Sequence, residues 1–273
     1  MHCRAVSPQV SSFRDERNPA RRTVVHGLAT DVHEQCGVTD RFTRSESRYN
    51  SSMSLHAPDP RLRFEPEALG LIEMPRSFYL RNTVTVARGL IGRWFARRYQ
   101  GIWYGGRIVE TEAYLGAGDA AAHSWRGRRT ARVEPMYLEG GHLYVFFVYG
   151  MHHCANIVTR REGIAEAVLL RAAEGPPDSA RTLMSGPGRL CVALGITTAV
   201  SGVDLLAGGD LRLFARPRAR RPQIAASARI GVGYAGEARL WPLRFFAVGS
   251  PAVSGPSRMR NRREDGVDSI APG

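Results

Sequence analysis

Short apolar runs separated by turn residues dominate the chain from residue 74 onward, whereas residues 1–73 show little hydrophobic periodicity. Short runs bounded by Gly, Pro and polar clusters are typical of strands in a sheet. Helical spacing of apolar residues is clearest after Thr85, and it predicts a helix of two to three turns in the segment that runs to Arg98. The Arg-, Ser-, Asp- and Pro-rich residues 1–73 have a composition that favours disorder.

A β-hairpin is the most specific element that the pattern predicts. The apolar runs Leu143–Val148 and His153–Val158 flank Tyr149-Gly150, which is typical of a hairpin turn. Further strands are predicted at residues 103–112, 165–172, 211–215, 228–232 and 243–248, and helical segments at 179–184 and 188–194. Many short strands with few helices predict an α+β fold with an antiparallel sheet, in one domain over residues 74–255.

Both ends of the chain are predicted to lie outside this domain. Residues 1–73 are either a disordered extension or a stretch upstream of the true start, for which Met53 and Met74 are the candidates. Residues 256–273 are rich in Arg, Ser, Gly and Pro and are predicted to form a flexible basic tail.

Arginine is the only residue type in this chain that carries a permanent positive side-chain charge, because lysine is absent. The 38 basic residues are all arginine and the formal net charge is +13. Residues 70–273 contribute +12 of it, from 28 Arg against 16 Asp and Glu. A basic folded surface is typical of a protein with a polyanionic partner, and a basic protein with no nucleic-acid role is the alternative. The absence of lysine excludes a Walker A phosphate site and Schiff-base chemistry through a lysine amine.

Cysteine usage and hydropathy indicate a cytoplasmic protein. The four cysteines are far apart and lack CxxC spacing, which argues against a disulfide framework or a zinc site and fits a reducing compartment. No run reaches the roughly 18 apolar residues of a membrane span, and the N-terminus lacks the apolar stretch of a signal peptide.

The segment Arg107–Tyr114 carries the most informative candidate chemistry. Alternate residues of a strand share a face, so Glu110, Glu112 and Tyr114 are expected to point one way. His123 and the aromatic run 143–151 follow, and together they suggest a pocket that stacks a flat ring and activates a water. The alternative for each part stays open: a solvated strand face for the acids, ordinary core positions for the aromatics and a surface histidine.

An enzyme that excises a base from DNA needs parts that this chain can supply. The base must be flipped into a pocket and held by aromatic faces, an apolar or aromatic wedge must fill the gap, and arginines must hold phosphates. A carboxylate must stabilise the sugar cation and activate water. The candidates are Glu112 as the base, Tyr114, His123 and Phe146 as plates, Tyr149 as the wedge, and Arg126, Arg128, Arg129, Arg132 and Arg171 as phosphate contacts.

The order and spacing of several motifs resemble the alkyladenine (3-methyladenine) DNA glycosylase family. The motifs are RIVETEAYLG at 107–116, AHS at 122–124, LYVFFVYGM at 143–151, NI at 156–157, VLLRA at 168–172, SGP at 185–187, LC at 190–191 and PLRF at 242–245. The similarity spans roughly Arg76 to Ser254, which is nearly the whole predicted domain.

This resemblance implies a fold and a set of roles. The implied fold is a single α+β domain with a curved, mainly antiparallel sheet flanked by helices, and a protruding hairpin that inserts into the minor groove of DNA. Glu112 then corresponds to the base that activates water, with Arg171 near that water and a backbone phosphate. The other implied roles are ring stacking for Tyr114, His123 and Phe146, exclusion of purines with an exocyclic 2-amino group for Asn156, and intercalation for Tyr149.

The resemblance also implies the reaction and its partners. Family members use no metal and no redox cofactor, and the expected partner is double-stranded DNA, bound by a monomer in the nucleoid. The family position at Phe146 is often tyrosine, so stacking is expected to survive while a hydroxyl is lost. Because lysine is absent, which leaves only a proline or a chain-terminal amine as a nucleophile for strand cleavage, hydrolysis of the glycosidic bond without strand cleavage is predicted. The expected substrates are alkylated or deaminated purines such as 3-methyladenine, 7-methylguanine, hypoxanthine and ethenoadenine.

Two alternatives to this function remain. The first is a catalytically weak module that binds lesions or nucleic acid with the same fold. The second is an RNA-binding or formyltransferase-like module on a related barrel, which rests on fold analogy alone.

Overall fold

A computed structural model describes residues 56–255, which form one domain around a curled antiparallel sheet. The predicted extension up to residue 55 and the predicted tail at 256–273 lie outside the described residues. The α+β class and the curved antiparallel sheet are confirmed. Within the described range, no helix is both long enough and apolar enough to cross a membrane.

The described part of the chain contains eleven strands, three α-helices and six short 3₁₀ helices. The helices are α1 (Arg76–Tyr79), α2 (Thr83–Leu90) and α3 (Pro187–Leu194). The strands are β1 (Arg63–Phe64), β2 (Ile72–Glu73), β3 (Trp94–Tyr99), β4 (Ile102–Tyr114), β5 (Leu143–Val148), β6 (His152–Thr159), β7 (Glu166–Glu174), β8 (Met184–Ser185), β9 (Leu211–Ala215), β10 (Ile224–Ser227) and β11 (Arg244–Ala247). The main sheet has the order β2-β9-β3-β4-β7-β6-β5, and every pair in it is antiparallel.

Strand β4 is the spine of the sheet because it pairs along both edges. One edge meets β3 and then β11, and the other meets β1 and then β7. Its Gly105 is required by close packing, since a Cβ there would lie 2.6 Å from the Phe95 carbonyl oxygen. The C-terminal half of β4, which carries Glu110, Glu112 and Tyr114, is held by its pairing with β7 and β11.

Helices α2 and α3 contribute to the main hydrophobic core together with residues of the sheet. Asn82 caps α2 by accepting hydrogen bonds from the backbone of Val84 and Thr85. The helix buries Val86 and Leu90 in the core. On the facing side of β4, the Thr111 hydroxyl donates to the Ala87 carbonyl of α2 at 3.0 Å. This contact places Thr111 toward the helix, opposite to the acids that flank it.

The helix of two to three turns expected within residues 75–98 is present as α2, which has eight residues. Helix α2 stops at Leu90, and Gly92 adopts a φ of +88°, which a continuing helix does not allow. The following residues Trp94–Tyr99 form β3 instead, hydrogen-bonded to both β4 and β9. The apolar residues of this stretch therefore belong to two elements, and pairing on both edges overrides the helical spacing.

Two other predicted elements are wrong. Residues 179–184 form turns rather than a helix, and only Met184–Ser185 is regular, as the short strand β8 beside β7. The strand predicted at 228–232 lies upstream, as β10 at Ile224–Ser227 paired with β11. Residues 228–232 leave the sheet, which carries Ile230 and Val232 to the cavity described below.

The folded part of the chain begins before the predicted boundary at Met74. Leu62 is fully buried in the main core, and Phe64 packs against Trp94 with ring centroids 4.9 Å apart. The His56 carbonyl accepts a hydrogen bond from Arg97. Residues 56–73 therefore belong to the domain. The buried side chains of Leu62 and Phe64 anchor this segment, although its sequence shows little hydrophobic periodicity.

Candidate active site

A cavity of about 750 Å³ opens where β5, β6 and β7 meet the end of β4. All four residues predicted for the base pocket line it: Tyr114, His123, Phe146 and Asn156. Arg171 and Tyr149 also line it. Aromatic and aliphatic side chains form most of the wall, which suits a flat, largely apolar ligand.

Glu112 lies directly behind the cavity wall. Its carboxylate is fully buried and accepts three hydrogen bonds or ion-pair contacts. Oε2 accepts from the Tyr114 hydroxyl at 2.9 Å, and Oε1 accepts from the Ile230 backbone N–H at 2.7 Å and meets the Arg171 guanidinium at 3.2 Å. Since a carboxylate has about four lone-pair positions, Oε2 keeps the capacity to accept from a water as well. The alternative of a solvated strand face is excluded.

A buried charge network holds Arg171 beside Glu112. Arg171 donates through Nε to Glu110 at 2.9 Å and through Nη2 to the Ser254 hydroxyl at 3.2 Å. Arg244, fully buried, donates to the same Glu110 oxygen at 2.6 Å. Glu110 is thus an internal anchor, and the alternative of a solvated strand face is excluded for it as well. Arg171 is itself only 7% exposed, so its guanidinium serves this network and is not presented as an open phosphate contact.

Tyr114 is the aromatic plate nearest to Glu112. Burial, followed by the negative charge of Glu112, raises its pKa well above the usual value. The hydroxyl therefore stays protonated and donates to Glu112. Behind the ring lies the Arg229 guanidinium, 4.8 Å from the centroid, held by a bidentate ion pair to the buried Asp119. This stack fixes the orientation of the plate from the side away from the cavity.

His123 and Phe146 form a second aromatic wall. Their ring centroids lie 4.5 Å apart, edge to face, and His123 Nδ1 shares a hydrogen bond of 2.8 Å with the Tyr144 hydroxyl. Burial, together with the charges of Arg132 and Arg128, lowers the pKa of His123. The imidazole is therefore neutral at pH 7, which favours its use as a stacking surface.

This environment predicts how His123 titrates. Because its pKa is lowered on folding, protonating His123 opposes folding only below about pH 6.5, and stability falls as the pH drops from there toward the folded-state pKa. Titration by NMR should place the pKa of His123 below 6.5, and Arg132→Gln should raise it. Arg161→Gln removes an equally exposed charge and should leave it unchanged. A His123 pKa at or above 6.5 would contradict this electrostatic picture.

Asn156 is fixed at the floor of the cavity. Its side-chain Nδ2 donates to the Tyr144 carbonyl at 3.0 Å and to the Cys154 carbonyl at 3.4 Å, and the residue is 4% exposed. With the nitrogen held by backbone, the amide has one orientation relative to the cavity. A rigid polar group in a pocket suits discrimination between ligands that differ by one polar substituent.

The β5–β6 hairpin projects an aromatic side chain at the mouth of the cavity. Tyr149 and Gly150 have φ of +53° and +67°, and Met151 N–H donates to the Val148 carbonyl, which makes a tight turn of the type that hairpins favour. Tyr149 is 81% exposed, and Phe147 and Met151 beside it are exposed as well. A contiguous apolar tip of this kind is unusual on a surface without a partner.

The four loop arginines predicted to contact phosphates are all exposed, but their contacts with the rest of the protein differ. Arg129 is paired with Glu134 through two hydrogen bonds, which raise its pKa. Arg126 stacks on Trp125 at 4.3 Å, and Arg132 donates to the Phe147 carbonyl. Arg128 is exposed, with its backbone carbonyl bound by Tyr137.

Several residues of the site were not found from the sequence. Tyr144 has the signal of an ordinary strand aromatic, and only its contact with His123 reveals its place. Ile230 acts through its backbone N–H, to which side-chain type gives no clue. The partners Asp119 and Arg229 are 110 positions apart in the chain. No group of three or more His, Cys, Asp or Glu within residues 56–255 is arranged to hold a metal ion.

Comparison with known proteins identifies the family of this chain. Residues 77–251 match the family model described as methylpurine-DNA glycosylase. The chain belongs to the methylpurine-DNA glycosylase family. This family acts in base excision repair of DNA, and its members are DNA glycosylases, so the substrate that membership implies is DNA.

Individual relatives are similar over about two thirds of this chain. A protein of Methanocella arvoryzae named "Putative 3-methyladenine DNA glycosylase" is 43% identical over 195 residues, which is 66% of this chain and 95% of the relative. Proteins with the same name from Bdellovibrio bacteriovorus and Desulfitobacterium hafniense are 43% and 42% identical, over 63% and 66% of this chain and 94% and 97% of the relatives. The predicted family is therefore confirmed.

Proposed function

We propose that this protein is a monofunctional DNA glycosylase that excises alkylated or deaminated purines and leaves an abasic site. The observation that carries the proposal is the position of Glu112. A fully buried carboxylate lies behind the wall of an aromatic cavity, bonded to Tyr114 and Arg171, both of which line that cavity.

Glu112 has the surroundings that a water-activating base needs. Arg171 and the Ile230 N–H stabilise the ionised carboxylate through Oε1, which leaves Oε2 to accept a proton from water. The same charge lies behind the wall of the cavity in which positive charge is proposed to develop on the sugar as the glycosidic bond breaks. Arg171 is the positioning partner, since it bridges Glu112 and Glu110.

The aromatic walls suit a flipped purine. Stacking on an aromatic face contributes ~1–3 kcal/mol per base. A purine alkylated at N3 or N7 carries positive charge, leaves readily and is attracted to the rings of Tyr114, His123 and Phe146. Neutral lesions such as hypoxanthine and ethenoadenine need protonation of the leaving base. Their excision is therefore expected to be slower than that of positively charged alkylated purines. The amide of Asn156 is proposed to select against the exocyclic 2-amino group of guanine, so 7-methylguanine, which carries that group, is expected to be excised more slowly than 3-methyladenine.

The hairpin and the loop arginines are proposed to hold the DNA. Tyr149, at the exposed tip beside the cavity, is the wedge that fills the gap left by the flipped base, with the hairpin in the minor groove. The phosphate contacts are Arg126, Arg128, Arg129 and Arg132, of which Arg129 must exchange its pairing with Glu134 for a phosphate. Affinity for DNA should then fall as salt rises.

Strand cleavage is not expected after base excision. Lyase activity in glycosylases needs an amine nucleophile, and the chain contains no lysine. Hydrolysis by water therefore gives an abasic site in an intact strand.

The test is incubation with duplexes that each carry one hypoxanthine, ethenoadenine or methylated purine. Strand breaks that appear only after hot alkali would support the proposal, and their rates rank the substrates. Breaks without alkali in clean enzyme would refute the monofunctional reaction. Tight binding to the lesion without any base release would instead favour the lesion-binding module.

Replacing Tyr114 with phenylalanine should separate its two roles. The ring remains to stack the base, but the hydroxyl that donates to the Glu112 carboxylate is lost. A hydrogen bond to a charged group contributes about 1.5–3 kcal/mol, so the single-turnover excision rate should fall about 10- to 100-fold. Affinity for the lesion duplex, measured by fluorescence anisotropy, should change little.

The control is Tyr99→Phe, on β3 and outside the cavity, which should behave as wild type. Equal losses of rate and affinity in Tyr114→Phe would show that the hydroxyl positions the plate rather than Glu112.

A further inference from the structure

A second cavity, of about 940 Å³, lies at the other end of the sheet and is bordered by arginine. Six guanidinium-bearing residues line this arginine cleft: Arg93, Arg107, Arg216, Arg218, Arg220 and Arg221. Four of them come from the segment RPRARRP at residues 216–222, between β9 and β10. Arg107 begins the segment of β4 that leads to Glu112, so the cleft and the candidate active site share one strand.

The cleft carries positive charge that the described residues do not neutralise. Arg107 pairs with Glu174, and none of the other five cleft arginines has a carboxylate partner within residues 56–255. Elsewhere on the same surface, Arg61, Arg63 and Arg98 each have an acidic partner. Burial mainly lowers the pKa of Arg93 to about 10, and the charges of Arg221 and Arg81 act in the same direction.

The shape and lining of the cleft favour a phosphate backbone over other anions. Arginine forks match phosphate oxygens and are suited to successive phosphates. Trp94 is the aromatic side chain that lines the cleft, and its ring already packs on Phe64 at 4.9 Å. A nucleotide whose base must stack on a free aromatic face would therefore bind poorly in this cleft. The exposed side chains of Arg216, Arg218, Arg220 and Arg221 sit on one extended segment bounded by Pro217 and Pro222.

We propose that the arginine cleft is a second DNA contact, which binds the sugar-phosphate backbone outside the duplex segment held at the candidate active site. The inference rests on the proposed function only in taking DNA as the substrate. Arg107 and Tyr114 are seven residues apart on β4, or about 23 Å along the strand at about 3.3 Å per residue. A short duplex centred on the aromatic cavity does not extend to the cleft, whereas a long one does.

The variant Arg218→Gln/Arg220→Gln/Arg221→Gln tests this contact in the full chain. Binding of unmodified duplexes of about 10 and about 30 base pairs, roughly 34 and 100 Å long, is measured by anisotropy over a range of salt. Each phosphate contact adds about 0.9 to the slope of log affinity against log salt, so the slope for the long duplex should fall by about 2–3. The slope for the short duplex, and single-turnover excision from a short lesion duplex, should stay at wild-type values.

The matched control is Arg61→Gln/Arg63→Gln/Arg98→Gln, which removes the same charge from arginines that already have acidic partners. It should leave the slope for the long duplex unchanged. An unchanged slope in the cleft variant, or an equal fall in the control, would overturn the proposal. Binding of inorganic polyphosphate is measured alongside. If the cleft variant lost polyphosphate binding but bound DNA like the wild type, the cleft would be a site for a free polyanion and the proposal would be overturned. Failure of the wild-type protein to excise any lesion would refute the proposed function without bearing on the slope.

Discussion

Replacing Glu112 with glutamine should reduce base excision by about 10²- to 10⁴-fold, which is the usual contribution of a general base. The amide keeps an acceptor for the Ile230 N–H and the shape of the side chain, but it cannot take a proton from water. Binding to the lesion duplex should persist, because Tyr114 and the second aromatic wall are untouched. The measurement is single-turnover base release with enzyme in excess, together with anisotropy for binding.

The matched control for this variant is Glu65→Gln, an exposed carboxylate near β1 that is distant in the fold from the cavity. It should excise at the wild-type rate. If Glu112→Gln excised as fast as the control, Glu112 would not be the base. If it lost binding as well as excision, the carboxylate would be acting on the pocket structure.

Replacing Glu110 with alanine should lower the free energy of unfolding by about 3–5 kcal/mol, because it leaves two buried guanidinium groups without their shared carboxylate. One is Arg171 and the other is Arg244, which is fully buried and bound to Glu110 at 2.6 Å. The midpoint of thermal unfolding should fall by about 6–20 °C for a domain of this size. Denaturant titration followed by circular dichroism gives the free energy.

The comparison for stability is Glu134→Ala, which breaks an exposed ion pair with Arg129. Exposed pairs contribute little to folding, so its unfolding midpoint should match that of the wild type. A loss in Glu110→Ala no greater than in Glu134→Ala would show that solvent reaches the Arg171 site and screens it.

Elements with a strong local signal were predictable from the sequence. The hairpin around Tyr149-Gly150, helix α3 and strand β9 lie where their patterns place them, because each is bounded by turn residues and has one clear period. The division of the stretch after Thr85 into a helix and a strand was not predictable in the same way. There the strand depends on hydrogen bonds to β4 and β9, which the local sequence does not encode.

The site was predictable to the extent that it consists of side chains in recognisable motifs. Tyr114, His123, Phe146 and Asn156 all line one cavity, although motif order alone gave no distance between them. The support for those side chains was hidden from the sequence. Arg244, Ser254 and Asp119 reach the site through contacts that join distant parts of the chain, and Ile230 contributes only backbone.

The buried network gives the two glutamates of β4 different surroundings. Glu110 accepts hydrogen bonds from two buried arginines, Arg171 and Arg244, and its negative charge offsets theirs. Glu112 meets only one of them and is bonded to groups of the cavity wall. We therefore propose that Glu112, which keeps an unused acceptor position beside the cavity, carries the chemistry, and that Glu110 supports the structure.

The most direct test of the central claim is the release of free base from a duplex that contains a single 3-methyladenine or hypoxanthine. The wild-type protein should liberate the modified purine, identified by mass spectrometry, while the strand stays intact until alkali is added, and Glu112→Gln should liberate almost none. Free purine released at equal rates by both proteins, or no release by the wild type from any lesion duplex, would contradict the account.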